Sequence, residues 1–93
     1  MKNNKIMTKE KLVIEAKKHV SKTAQFKNPR QSAHAIYFFV KQHKKYIKNT
    51  KSYIFIFKQI KVMLLNSFEW ENIKIHKCFC MVNELMGYII KKS

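Results

Sequence analysis

A chain with one glycine, Gly87, and one proline, Pro29, among 93 residues is short of the residues that tight corners require. Glycine supplies left-handed backbone without steric cost and proline pre-sets turn dihedrals, so sandwiches and barrels consume both. A few long helices need only a few connections. At this length the chain makes one domain, residues 1–93, because two cores would each bury too little apolar surface to offset chain entropy. Seven Phe, four Tyr and one Trp, within a 46% hydrophobic composition, also separate it from a disordered basic tail. The expected fold class is all-α, a small four-helix bundle.

Apolar residues recur at threes and fours in four segments, predicting helices over about residues 8–21, 29–48, 51–66 and 68–91, with residues 1–7 a flexible N-terminal segment. Thr8 is a reasonable N-cap for the first, whose stripe is Leu12, Val13, Ala16 and Val20. Asn28-Pro29-Arg30-Gln31 is the clearest start signal: Asn caps, Pro fills the first turn, and Gln can reach back to the cap. The second helix is expected to bury Ile36, Phe39, Val40, His43 and Ile47. Tyr53–Phe57 alone would suit a strand, but the helical period continues through Ile60 and Leu64 to Leu65. The third helix, apolar on several sides, is expected to be the most buried. Asn66-Ser67-Phe68-Glu69 resembles a second capping box before a last helix with Ile75, Cys78, Phe79, Val82, Leu85, Met86 and Ile89 inward. Gly87 within that helix is read as the mark of a close helix crossing. Short connections after the second and third helices predict antiparallel neighbours there.

The charge is lopsided in kind and in place. Nineteen Lys and one Arg face five Glu and no Asp, a net charge of +15. Residues 1–51 carry +12 of it (fourteen bases, two acids) and residues 52–93 carry +3 (six bases, three acids). From Ala16 to Phe68 there are twelve bases and no carboxylate. Eleven Ile and seven Asn suggest an A+T-rich genome, which accounts for part of the Lys but not for the missing acids. Such a run implies a polyanionic partner. The start, Met1 to Met7, has no apolar segment of a secretory signal, and the run Tyr53–Phe57 is far below the roughly 20 residues that span a bilayer. A cytoplasmic setting without a membrane span is expected. Two cysteines near one end do not make a disulfide framework.

No catalytic constellation emerges, so no enzyme, cofactor, metal or small-molecule substrate is expected. Glu10, Glu15, Glu69, Glu71 and Glu84 are scattered, whereas hard cations need clustered carboxylates. His76 and Cys78, like Cys78 and Cys80, stand two apart and diverge by about 160° on a helix, too far to share an ion. Cys78 reads as core filler and Cys80 as a half-exposed thiol. Arg30 and His34 stand closer together than the Arg and His of the HEPN ribonuclease motif, so the chain departs from that family at its diagnostic feature.

The strongest constellation lies on a surface. A helix over residues 29–48 would place Lys41, Lys44, Lys45 and Lys48 on one face, with His34, Tyr37 and Phe38 one to two turns earlier. Lys17, Lys18, Lys22, Lys27 and Arg30 would extend it. Ammonium groups displace counterions from phosphates and ring faces stack on bases, so this pattern suits nucleic acid. Lys acts as a point charge where Arg makes bidentate base contacts, so a Lys-dominated patch implies backbone contact rather than sequence reading.

In size and composition the chain resembles the small, basic, helical subunits of CRISPR effector complexes. Glu69-Trp70-Glu71-Asn72-Ile73 through Glu84-Leu85-Met86 is similar to a helix of the ENTH/ANTH membrane-trafficking domains, although of their basic phosphoinositide motif only one element beyond Lys18, at Arg30, is present. The first expectation is a non-enzymatic module that binds RNA or DNA non-specifically, within a ribonucleoprotein or mobile-element complex. The alternative is a phage- or mobile-element-encoded, anti-CRISPR-like inhibitor of a host nucleic-acid enzyme, docking through Phe38, Trp70, Ile73 and Tyr88. A third is a binder of anionic membrane lipid.

Overall fold

The computed structural model describes residues 8–47 and 50–92, the side chains of residues 50 and 88–92 excepted. The segment 1–7, Lys48 and the side chains of Tyr88 and Ile89 therefore lie outside the described residues. Four helices form, α1 Lys9–Ala24, α2 Pro29–Gln42, α3 Thr50–Asn66 and α4 Asn72–Lys92, with no strand among the described residues. They make a small all-helical bundle, 41 × 30 × 18 Å along its principal axes.

Local chemistry sets the starts as read. The Thr8 hydroxyl accepts from the Lys11 N–H at 3.1 Å. The Asn28 side chain accepts from both Arg30 and Gln31, at 3.0 and 3.2 Å, with Pro29 in the first turn. Three alanines of the first two helices, Ala16 and Ala24 of α1 and Ala33 of α2, are fully buried. At one end of the α1–α2 pair, Thr23 donates its single hydroxyl proton to the Val20 carbonyl, so across the 3.1 Å contact with Thr23 the buried Ser32 is the donor.

Four expectations are corrected. First, α1 runs on to Ala24, and α2 stops at Gln42 instead of continuing to residue 48. His43 caps α2: its N–H reaches the Phe39 and Val40 carbonyls, its Nδ1–H donates to the Phe39 carbonyl at 2.8 Å, and its ring stacks on Phe39 at 4.1 Å. The chain then turns over residues 43–46 and seats Ile47 in the core. Second, α4 begins at Asn72, because Asn66 ends α3 and the chain reverses through Glu69 at φ 55°. The Trp70 N–H closes that reversal on the Leu64 carbonyl at 2.9 Å, so no capping box forms at residues 66–69.

Third, α2 and α3 do not pack on one another among the described residues. α1 contacts α2 and α3, α4 packs mainly on α2, and α3 meets α4 more lightly. The last contact includes the stacked rings of Phe57 and Phe79, 5.5 Å apart. Lying at the periphery, α3 buries Tyr53, Ile56, Ile60 and Leu64 and leaves Ile54, Phe55 and Val62 exposed, so it is not the most buried helix. Fourth, a Cβ built on Gly87 would meet nothing within 4 Å, so no close crossing occurs there. No helix among the described residues is long and apolar enough to cross a membrane.

Candidate nucleic-acid interface

The cationic patch read from the sequence divides into two places. On α2, successive residues advance by about 100°, which sets Arg30, His34, Tyr37, Phe38 and Lys41 on the face opposite the buried Ile36. From His34 to Lys41 these side chains approach one another in turn. The His34 and Phe38 rings lie 6.2 Å apart, the Phe38 and Tyr37 rings 5.5 Å, and the Lys41 ammonium sits 6.0 Å over the Tyr37 ring. Phe38 is 48% exposed and Tyr37 half-buried, so the strip presents ring faces beside fixed positive charge.

The second place is an open cleft between α1 and α2, of about 330 Å³. Lys18 and Lys22 line it from α1, together with Glu15 and His19. Gln42 and His43 line the opposite side, and Phe39 stands between the two histidines. The His19 and Phe39 rings are 6.0 Å apart, and burial, then repulsion from Lys22 and His43, hold the His19 imidazole below its usual pKa.

The remaining basic residues fall outside both. Lys17 lies about 100° around α1 from Lys18 and does not line the cleft. Lys27 is exposed in the α1–α2 turn at φ 52°, and its carbonyl accepts from the Lys74 ammonium at 3.3 Å. Lys44 and Lys45 belong to the turn after α2, where the Lys45 ammonium sits 5.4 Å over the Tyr46 ring. The continuous lysine row expected over residues 41–48 is therefore not formed by one helix.

Sequence reasoning missed five cleft residues, Glu15, His19, Phe39, Gln42 and His43. His43 was expected to be a buried core residue; it is half-buried, satisfied by the Phe39 carbonyl, and open to the cleft. Among the proposed docking anchors, Phe38 and Ile73 are exposed, whereas Trp70 is buried and donates its indole N–H to the Ala24 carbonyl at 2.8 Å. On α4, Cys78 is fully buried and its thiol is pushed up to about 12 by desolvation, while Cys80 is exposed with its sulfur 3.5 Å from His76 Nε2. That i, i+4 pair does meet, but no group of three or more potential metal ligands gathers among the described residues.

Compared with protein-family models, curated proteins and solved structures, the chain finds no match.

Proposed function

We propose that the chain is a nucleic-acid-binding helical module that contacts the phosphate backbone without reading sequence. The observation that carries this reading is the exposed strip of α2, in which Arg30 and Lys41 flank His34, Tyr37 and Phe38 within an acid-free run from residue 16 to residue 68. Cations there neutralise phosphates, and the rings offer stacking surfaces to unpaired bases. The exposed aromatics favour single strands, whose bases are open to stacking.

Affinity for single- and double-stranded RNA and DNA, measured across a salt series, tests the proposal. Arg30→Glu with Lys41→Glu is expected to weaken binding at least tenfold, and Phe38→Ala to weaken single-strand binding selectively. No binding at low salt, or unchanged binding by the double variant, overturns it.

A second reading, a protein-docking module, draws on another observation. The Lys74–Lys27 hydrogen bond brings the start of α4 beside the α1–α2 turn, and Phe26 and Ile73, next to those residues, are 65% and 61% exposed. Exposed apolar side chains at one end of a bundle suit a partner surface. A purified chain that binds no nucleic acid, yet loses a nuclease-resistant partner on Phe26→Asp or Ile73→Asp, would favour this reading.

A further inference from the structure

The α1–α2 cleft gathers charged and titratable groups from two elements around one open volume. Resting on the nucleic-acid reading, we infer that it is a phosphate site, which seats one phosphodiester of the bound strand together with a proton taken up by the His19–His43 pair.

The geometry sets the requirement for the proton. His43 Nδ1–H is committed to the Phe39 carbonyl at 2.8 Å, so the neutral ring has only the lone pair of Nε2 left to offer. A lone pair repels a phosphate oxygen. Once Nε2 takes a proton from solvent, the same atom donates to that oxygen, and Nδ1 keeps its bond. Phe39, stacked on His43 at 4.1 Å and 6.0 Å from the His19 ring, keeps both imidazoles beside the cleft.

Charge balance points the same way. From α1 the cleft receives Lys18 and Lys22 against Glu15, and from the α2 side neutral Gln42 with His43; among the described residues no charged side chain of α3 or α4 lines it. With both imidazoles neutral, Glu15 cancels one ammonium and leaves little net attraction for an anion. Protonation of one imidazole roughly doubles that positive charge. Burial, then Lys22 and His43, depress the His19 proton affinity, and an arriving phosphate opposes that depression with its negative charge.

The test uses the intact chain and an oligothymidylate, whose bases do not titrate in the range, at fixed ionic strength between pH 8 and pH 6. Affinity is expected to rise about tenfold as pH falls, as a mean uptake of about half a proton on binding across those two pH units requires. Imidazole NMR signals of His19 should report a raised pKa in the complex, and those of His43 should move on binding. His19→Gln with His43→Gln is expected to flatten the pH profile. Glu15→Gln, which leaves both rings in place, should tighten binding several-fold and serves if the double variant does not fold.

Strong binding with a flat wild-type profile, or an unaltered profile in the double variant, overturns the cleft assignment and leaves the nucleic-acid reading standing. An unchanged affinity for Glu15→Gln also overturns it. Absence of binding at any pH removes both. A parallel titration with inorganic phosphate separates sources: imidazole shifts with phosphate but not with oligothymidylate would assign the cleft to a free anion and overturn the backbone assignment.

Discussion

Trp70 joins three parts of the chain through two hydrogen bonds. Its N–H closes the reversal after α3 on the Leu64 carbonyl, and its indole N–H reaches the Ala24 carbonyl at the end of α1. The Ala24 carbonyl also accepts from the Lys27 N–H, so Trp70→Phe removes one of two partners without leaving a buried orphan. A loss of about 1–2 kcal/mol is expected in urea unfolding followed by circular dichroism. A cost near zero would mean that the indole bond holds nothing together. The same scale governs the two thiols. Cys80 should alkylate in the native chain at neutral pH, and Cys78, buried and pushed up to about 12, only on unfolding, as mass spectrometry of partly denatured samples would show. His19 contributes a pH dependence. Its folded-state pKa lies below the ordinary 6.5, so the unfolded chain binds the proton first as pH falls. Stability should therefore decline below about pH 6.5 toward the lower folded value, and His19→Gln should reduce that decline.

The turns between elements show what the scarcity of glycine costs. With Gly87 inside α4, the left-handed positions of the first and third connections fall to Lys27 at φ 52° and Glu69 at φ 55°. A non-glycine residue there costs about 1–2 kcal/mol, part of which glycine would return as unfolded-state entropy. Lys27→Gly and Glu69→Gly are each expected to stabilise the chain by about 0.5–1 kcal/mol in urea unfolding. Because they change net charge in opposite directions, a gain shared by both isolates the backbone effect. The elements themselves were largely legible: Thr8 and Asn28 announce their helices through side-chain oxygens placed for the first-turn N–H groups. Helix ends were less legible, since they depend on tertiary partners. Nothing local in Gln42-His43-Lys44 stops a helix; the stop comes from His43 satisfying the Phe39 carbonyl while Ile47 turns into the core. Likewise the apolar composition of α3 did not reveal that it lies at the periphery, because periodicity reports a face but not what covers it.

Across the whole molecule, the charge asymmetry was readable from composition, but its division into a strip and a cleft was not. Lys18 and Lys22 meet His43 only because α1 packs on α2, a contact that no spacing in the sequence encodes. The same +15 makes folding and binding respond oppositely to salt. Self-repulsion among lysines weakens the compact state, and at 0.15 M salt the screening length of about 8 Å is short beside the molecule's 41 Å long axis. Raising salt from low to moderate concentration should therefore raise the melting temperature. Over the same range it should weaken binding of a single strand, since each neutralised phosphate contributes about −0.7 to the slope of log affinity against log salt. Engagement of one phosphate each by Arg30 and Lys41 on the strip, and of one by Lys18 and Lys22 at the cleft, predicts a slope of about −2. Lys41→Gln should lessen its magnitude by about 0.7 with little change in melting temperature. A slope near zero would mean that the positive charge serves only to keep copies of the chain apart. A slope much steeper than about −2 would recruit Lys27, Lys44 and Lys45, which the fold sets outside both places, into a wider footprint on the strand.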